Sequence, residues 1–310
     1  MTSRASTGRD DPTRVAPETE ARPQWLTRSL GIEPQRRSIE VGGCDINLLV
    51  WGEPDRPGLV LVHGGAAHAH WWSAIAPLIG DYRVVALDLS GHGDSGRRET
   101  YRVELWTQEV LAAAEAVGAA GPPVVIGHSM GGFVAVATAV AGGDRVAGII
   151  VLDSPMVEED PEVEAARIGA AFGVPRTYPT LDEAVARFRT VPAQDNYDPW
   201  ILDHVARHSL RRTEDGWAWK FDPGLFRAVS RNPAAEQLPN IRCRVALLRS
   251  EFGLVTPEIG RIIYENLGRV APVVEVPLAG HHMMLDQPLL LLTALRALLA
   301  DWEHSVPSQR

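Results

Sequence analysis

The stretch Pro122-Pro-Val-Val-Ile-Gly-His-Ser-Met-Gly-Gly-Phe-Val-Ala-Val-Ala137 decides the fold of this chain. A β-branched run ends in the pentad Gly-x-Ser-x-Gly, centred on Ser129, and an Ala- and Val-rich segment follows at once. This succession predicts a strand, a sharp turn and a helix, with the serine on the turn. Gly127 and Gly131 lack side chains, so the strand and the helix can approach closely. Ser129 is therefore a candidate nucleophile whose hydroxyl projects above the end of a sheet.

Apolar runs on both sides of this stretch predict the rest of the sheet. Residues 59–62 and 84–87 are apolar throughout, as expected for strands that are buried on both faces. An opening hairpin is predicted around Gly42-Gly43. Further strands are predicted at 146–153, 244–249 and 273–276, and helices at 70–79, 102–117, 130–141, 257–267 and 288–302. The alternation indicates an α/β fold with a mostly parallel central sheet flanked by helices.

The composition of the chain changes at several points, and these changes predict its domain organisation. Residues 1–36 are expected to be a flexible leader, because the first two dozen residues are polar and lack the apolar segment of a secretory signal. Residues 155–240 contain many prolines and no buried-strand run, so we expect a helical cap, with helices near 181–188 and 199–208. The α/β core then comprises 37–154 and 241–303, and 304–310 form a tail.

Charge and cysteine content exclude several classes of function. The chain has 310 residues, a formal net charge of -9 and no stripe of Lys or Arg, which argues against nucleic acids and anionic membranes as partners. No apolar run is long enough to predict a membrane span. Cys44 and Cys243 are too few for a disulfide scaffold, so we interpret both as buried thiols in a reducing compartment, with a disulfide between them as the alternative, and expect a cytoplasmic location. The sequence does not define an oligomeric state.

Four reactive groups directly follow predicted strands. They are the His63-Gly64-Gly65 segment, Ser129, Asp153 and His281. Because the carboxyl ends of parallel strands meet at one edge of a sheet, we expect these groups to converge in space. Their order along the chain, Ser then Asp then His, is the order that the strand-turn-helix serine motif implies.

These motifs, together with the Gly-rich loop 91–96 and Ala279-Gly280-His281, identify residues 37–302 as similar to capped enzymes of the α/β-hydrolase fold. The resemblance implies acyl transfer to Ser129, with His281 as the general base. It also implies an oxyanion hole formed by the backbone N–H groups of Gly65 and Met130. The implied partner is a small-molecule acyl substrate, and no cofactor is implied.

Two residues are candidates for the acid that orients the histidine. Many members of the superfamily carry an aspartate just beyond the penultimate strand, where this chain has Gly253 and Leu254, with Glu251 as the acid within reach. A subset carries the acid after the strand that follows the nucleophile, and Asp153 lies 24 residues beyond Ser129. We prefer Asp153, with Glu251 as the alternative; Asp153 could also serve only as a helix N-cap.

The remaining candidates concern the substrate pocket and bound groups. His68, His70 and Trp200 are candidates for pocket residues, and the Trp-rich cap predicts a partly apolar substrate of modest size. No metal site is predicted, since His281 and His282 are adjacent and not four residues apart. The expected function is hydrolysis of a carboxylic ester or of a lactone, amide or thioester. The alternatives are hydrolysis of a carbon–carbon bond by the same three groups, and a non-catalytic ligand-binding protein on the same fold.

Overall fold

The computed structural model describes residues 21–157, 176–225 and 234–304. Eleven strands lie in these ranges: β1 Gln35–Val41, β2 Cys44–Trp51, β3 Pro57–Val62, β4 Arg83–Leu87, β5 Ala120–His128, β6 Gly148–Leu152, β7 Thr177–Tyr178, β8 Leu210–Thr213, β9 Gly216–Trp219, β10 Arg244–Phe252 and β11 Val273–Gly280. Eight of them form one sheet in the order β1-β2-β4-β3-β5-β6-β10-β11. Strand β2 is antiparallel to both of its neighbours, and the pairs from β4 to β11 are parallel. The predicted mostly parallel sheet is confirmed.

Helices flank this sheet on both faces. Within the described ranges they are α1 Gln24–Leu30, α2 Val103–Ala116, α3 Met130–Gly142, α4 Leu181–Val185, α5 Pro199–His208, α6 Ala234–Gln237, α7 Pro257–Asn266, α8 Met283–Asp286 and α9 Pro288–His304. The helix predicted at 70–79 is wrong. The chain forms two short 3₁₀ turns there, Ala69–Trp72 and Ala76–Leu78, and Pro77, which lacks an N–H, interrupts any regular helix.

Two apolar layers cover the two faces of the sheet. In β3, Val60 and Val62 belong to the layer that contains residues of α2 and α3, whereas Leu59 and Leu61 belong to the layer that contains residues of α9. All four side chains are buried. Successive residues of a strand point to opposite faces, so a central strand must be apolar at every position. This requirement explains the uninterrupted apolar runs in the sequence.

Part of the predicted flexible leader is instead an ordered element. Helix α1 packs on the core through Leu26, which is fully buried, and the Ser29 hydroxyl donates a hydrogen bond of 2.7 Å to the carbonyl of Ala74. Strand β1 also begins within the predicted leader, at Gln35. Leu26 and Leu30 lie four residues apart, a helical spacing that accounts for the packing. Residues 1–20 of the leader and 305–310 of the tail lie outside the described residues.

The insertion between β6 and β10 contains helices and a small sheet. Helix α5 spans the predicted residues 199–208, and α4 covers the first part of the other predicted helix. The sequence analysis did not predict the three-stranded antiparallel sheet in the order β7-β9-β8. Gly216, with φ of 128°, allows the turn between β8 and β9, and Trp217 and Trp219 pack against the small apolar core of the insertion. Residues 158–175 and 226–233 of the predicted cap lie outside the described residues.

Candidate active site

Ser129 lies on the sharp turn between β5 and α3. Its φ of 54° is in the left-handed region, which is unfavourable for a residue with a side chain and is typical of functional turns. A Cβ atom at position 127 would overlap the carbonyl oxygen of Gly131, and one at position 131 would overlap the carbonyl oxygen of Val62. The turn therefore requires both glycines of the pentad, as the sequence predicts.

The hydroxyl of Ser129 meets the imidazole of His281, which follows β11. The Oγ atom of Ser129 lies 3.0 Å from Nε2 of His281, and Nδ1 of the same ring lies 2.7 Å from Oδ2 of Asp153. A carboxylate only accepts hydrogen bonds, so Nδ1–H donates to Asp153 and Nε2 is left to accept the proton of the serine hydroxyl. The imidazole thus has the tautomer that a general base for Ser129 requires.

Asp153 is fully buried and is held as an anion by several donors. Its carboxylate accepts hydrogen bonds from the backbone N–H groups of Ser250, Leu254 and Val255, at 3.1, 2.7 and 3.2 Å. Burial alone would raise the pKa of Asp153. The hydrogen bond and charge of His281, together with the backbone donors, outweigh burial and hold the pKa below its usual value. Asp153 therefore carries a negative charge beside the imidazole.

The segment after β10 makes room for this carboxylate. A Cβ atom at position 253 would overlap the Asp153 carboxylate, so glycine is required there. Glu251, the alternative acid, is exposed, and its Oε2 atom accepts a hydrogen bond of 2.8 Å from the N–H of Leu278. Among the described residues, its hydrogen bonds do not include His281. The structure thus brings Asp153, and not Glu251, to the imidazole.

The two candidate oxyanion donors belong to the segments that follow β3 and β5. Met130 is the first residue of α3, where the N–H groups of a helix have no partner within the helix. Gly65 follows β3, and a Cβ atom on the adjacent Gly64 would lie 3.2 Å from the Cβ atom of Ser129, so this loop lies against the serine.

His63 braces the loop: its Nε2 atom accepts from the N–H of Leu89 at 3.0 Å, and Nδ1 donates to Gly64 O at 2.7 Å.

Two further buried histidines fix the segment that carries His281. Nε2 of His128 donates a hydrogen bond of 2.9 Å to the carbonyl of His281. The backbone N–H of His282 donates to Oε1 of Gln194 at 2.8 Å, and its ring donates to the carbonyl of Pro192 at 3.0 Å. Burial, reinforced by the neighbouring His281, lowers the pKa of His128 to about 3, so this ring is neutral at ordinary pH.

The three predicted pocket residues lie where the insertion meets the core. Nε2 of His68 lies 2.8 Å from Oγ of Ser209 at the end of α5, and Nδ1 of His70 lies 3.0 Å from Oγ of Ser73. Trp200, on α5, is half-buried and packs against the core. Among the described residues, the hydrogen bonds and ring contacts of His68 and His70 do not include Ser129, His281 or Asp153. These residues therefore join the insertion to the core, and contact with a substrate remains an expectation.

A cleft of about 330 Å³ opens beside His281. It is lined by the insertion segment 192–196 and by core residues that include Gly253, Leu254 and Leu278. Leu278, on its lining, is 62% exposed, and so is the neighbouring Phe252 at 66%. The cleft thus combines polar groups near the imidazole with an apolar rim.

The structure brings together a group of histidines that is not among the predicted site residues. His70, His204 and His208 each offer a nitrogen atom, and these atoms lie within 4.8 Å of one another. His128, His281 and His282 form a second such group. The signal for the first group was present, because His204 and His208 are four residues apart on a helix that the sequence predicts, and this spacing places two imidazoles on one face.

The fold and the site together are those of an α/β-hydrolase. A model of the alpha/beta hydrolase family matches residues 59–294, which is most of the chain, and the chain belongs to this family. Within the described residues, no helix combines the length and apolar character needed to cross a membrane.

Two similar proteins are an esterase and a lipase. Esterase Rv0045c of Mycobacterium tuberculosis is 27% identical over 278 residues, which are 86% of this chain and 89% of the relative. Lipase LipV of the same organism is 31% identical over 179 residues, 57% of this chain and 66% of the lipase. A solved structure of the M. tuberculosis esterase Rv0045c has a TM-score of 0.72 and 25% identity, and covers 89% of this chain and 96% of that chain.

Proposed function

We propose that this α/β-hydrolase cleaves carboxylic esters through an acyl-enzyme on Ser129, with His281 as general base and acid and Asp153 as the orienting acid. The observation that carries the proposal is the pair of hydrogen bonds that Nδ1–H of His281 donates to Asp153 and that the Ser129 hydroxyl donates to Nε2 of His281, at 2.7 and 3.0 Å. Both lie in the range of ordinary hydrogen bonds, and they leave Nε2 as the acceptor that faces the serine hydroxyl.

The proposed reaction has two stages. In the first, Nε2 of His281 takes the proton of the Ser129 hydroxyl while Oγ attacks the ester carbonyl. The tetrahedral intermediate collapses to the acyl-enzyme, and the leaving alkoxide receives the proton back from His281. In the second stage a water molecule replaces the alcohol, loses a proton to His281 and attacks the acyl carbon. The carboxylic acid is then released, and the proton returns to Ser129.

The negative charge on the carbonyl oxygen requires donors that are already in place. We propose that the backbone N–H groups of Gly65 and Met130 supply them. The N-terminus of α3 adds a favourable dipole for an anion. Removing one such donor in related chemistry costs about 3 kcal/mol of transition-state stabilisation. While His281 holds the proton taken from Ser129, it is an imidazolium cation. Asp153 stabilises this cation because its carboxylate is ionised and buried.

Esters are the favoured bond class because the relatives support them. Two curated relatives, 27% and 31% identical to this chain, are an esterase and a lipase. Lactones, thioesters and amides require the same three groups, so they belong to the proposed substrate range. A non-catalytic binding protein would not need the aligned hydroxyl, imidazole and carboxylate.

The proposal is tested with p-nitrophenyl esters of increasing acyl length. The native enzyme is expected to release p-nitrophenol with a burst equal to the enzyme concentration if deacylation is the slower stage, and Ser129→Ala is expected to lose at least 10⁴-fold in kcat. Ser38→Ala is the matched control, because Ser38 is exposed on β1 and should leave turnover unchanged. Turnover by Ser129→Ala at the native rate would refute the proposal.

A further inference from the structure

His70, His204 and His208 form a compact cluster outside the proposed catalytic groups. The ring centroids of His70 and His208 are 3.9 Å apart, those of His204 and His208 are 4.2 Å apart, and those of His70 and His204 are 5.6 Å apart. One nitrogen atom of each ring lies within 4.8 Å of one nitrogen of each other ring. Nitrogen ligands of a tetrahedral Zn²⁺ lie roughly 3.4 Å apart, so small side-chain movements would bring the three to that distance.

The cluster joins two parts of the fold. His204 and His208 lie on one face of α5 in the insertion, whereas His70 lies on the 3₁₀ turn Ala69–Trp72 of the core. Helix α5 is fixed at its N-terminus by Asp198, whose carboxylate accepts from the backbone N–H groups of Trp200 and Ile201. The three rings thus come from two elements, α5 of the insertion and the 3₁₀ turn of the core, which meet at one boundary.

The hydrogen bonds of two rings place the lone pair on Nε2. Nδ1 of His208 donates to the carbonyl of His204 at 2.7 Å, so its lone pair is on Nε2. The guanidinium of Arg36 lies 3.1 Å from Nε2 of His70. Because a guanidinium can only donate, Nε2 of His70 accepts this hydrogen bond, and Nδ1–H of the same ring donates to Ser73. Histidines that bind metals show this arrangement, in which one nitrogen binds and the other donates to an oxygen atom.

The third ring has an unsatisfied atom. Nε2 of His204 is buried and has no hydrogen-bond partner among the described residues. A buried polar atom without a partner is costly and calls for an explanation, and a bound ion would supply one.

Burial disfavours the charged form of all three rings. Burial and the neighbouring imidazoles lower the pKa of His70 to about 2 and that of His204 to about 3. Burial, which outweighs the hydrogen bond to the carbonyl of His204, also lowers the pKa of His208. Neutral imidazoles do not have to lose a proton before they bind a metal ion at neutral pH.

We infer that His70, His204 and His208 form a site for a divalent transition-metal ion of the Zn²⁺, Ni²⁺ or Co²⁺ type, which ties α5 of the insertion to the core. Imidazole ligands suit these ions, whereas Mg²⁺ and Ca²⁺ prefer oxygen ligands. Three protein ligands leave a fourth position for water. The inference is independent of the proposed esterase activity, because none of the three residues belongs to the Ser129, His281 and Asp153 group.

Arg36 competes with the ion for His70. Its guanidinium contacts Nε2 of His70, but the residue is exposed on β1, so the side chain can turn toward solvent. Lys220 is a second nearby cation that disfavours an ion, and its ammonium pairs with Asp94 at 2.6 Å. We therefore expect Arg36→Ala to bind the metal ion more tightly than the native protein, because it frees a ligand atom and removes a positive charge.

The test is calorimetric titration of the full-length protein, stripped with a chelator, with ZnCl₂ and NiCl₂, and with MgCl₂ as the negative control. One equivalent of Zn²⁺ or Ni²⁺ is expected to bind and to raise the melting temperature. His204→Gln and His208→Gln should each weaken binding about tenfold or more, comparable to the effect of disturbing a metal site. His304→Gln, at the exposed end of α9, is the matched control and should bind as the native protein does.

Two results would overturn the inference. One is native affinity in folded His204→Gln and His208→Gln proteins, which would move the ion to the His128, His281 and His282 group. The other is the absence of saturable binding to the native protein and to Arg36→Ala. Circular dichroism in chelator establishes that each variant is folded. Because Arg36→Ala changes an exposed residue, its predicted gain in affinity keeps the test decisive if a histidine variant does not fold.

Discussion

Oδ2 of Asp153 lies 2.7 Å from Nδ1 of His281, although 128 residues separate the two in the chain. The contact depends on a third element, because Ser250 of β10 and two residues of the loop after it donate backbone N–H groups to the same carboxylate, and this loop carries glycine at 253, where a side chain would displace the carboxylate. In this chain the loop after β10 therefore supports the acid without supplying it.

Asp153→Asn is expected to lower kcat by about 10⁴-fold while the protein stays folded. The amide no longer stabilises the imidazolium and favours the wrong tautomer of His281. Steady-state kinetics with a p-nitrophenyl ester measures the effect, and Glu251→Gln is the matched control, expected to change kcat less than about threefold because Glu251 is exposed and bonds to Leu278. A large loss in Glu251→Gln with a small loss in Asp153→Asn would assign the acid to 251.

Gly253→Ala should impair activity through the position of Asp153. The added methyl group would overlap the carboxylate and shift it away from His281. A displacement of about 1 Å in such a group can cost roughly 10²-fold in rate, so we expect a loss of that order in kcat with a smaller change in KM. Comparison of kcat and KM measures it; an alanine variant with native kcat would show that the carboxylate has more room than the structure indicates.

Gly127→Ala should prevent the turn at Ser129 from forming. Its Cβ would overlap the backbone of Gly131, which cannot move without separating β5 from α3, so we expect a loss of at least about 3 kcal/mol in the free energy of unfolding. Gly260, in helix α7, provides the control. A Cβ atom there would have its nearest neighbours at 3.6 and 3.8 Å, which is ordinary contact, so Gly260→Ala should be neutral or stabilising. Urea denaturation compares the two variants; equal stability would contradict the proposed requirement for glycine.

Acidification should destabilise the protein in part through His204. Its pKa falls from the usual 6.5 to about 3 on folding, chiefly through burial, so below pH 6.5 the unfolded chain binds a proton that the folded chain does not. The free energy of unfolding therefore decreases as the pH falls, by about 1.4 kcal/mol per pH unit for this group. Above pH 6.5 both states are neutral, and this group makes no contribution to the pH dependence.

Urea denaturation at pH 7.5 and 5.5, in chelator, isolates that contribution. The decrease for the native protein should exceed the decrease for His204→Gln by on the order of 1 kcal/mol. The comparison is needed because Asp286 has the opposite effect on the pH dependence of stability. Burial raises the pKa of Asp286 to about 6, and this contribution is common to both proteins, so it cancels in the difference. Identical decreases would show that His204 titrates alike in both states.

The sequence predicts those parts of the structure that depend on local pattern. The strands on both sides of Ser129 are uninterrupted apolar runs, because both faces of the central sheet are covered. The turn at Ser129 is predictable from Gly127 and Gly131, because only glycine allows that approach. Placement of reactive groups at strand ends follows from the geometry of parallel sheets, which brings Ser129 and His281 together.

Features that depend on distant contacts were not predictable in the same way. Helix α1 is stabilised by Ser29 bonding to Ala74, a contact that no local pattern reveals, and polar neighbours made the segment resemble a leader. Strands β8 and β9 are only four residues long and partly exposed, so they lack the apolar run of a buried strand. The position of His70 beside His204 and His208 depends on how the insertion packs on the core.

The most direct measurement of the central claim is the site at which a fluorophosphonate ester reacts. The reagent phosphonylates a serine only if its hydroxyl is activated, so peptide mass mapping should find one adduct, on Ser129. Labelling should be lost in Ser129→Ala and strongly slowed in Asp153→Asn, and it should be unchanged in Ser38→Ala. An adduct on another residue, or an unlabelled Ser129 in a protein that hydrolyses esters, would contradict the account.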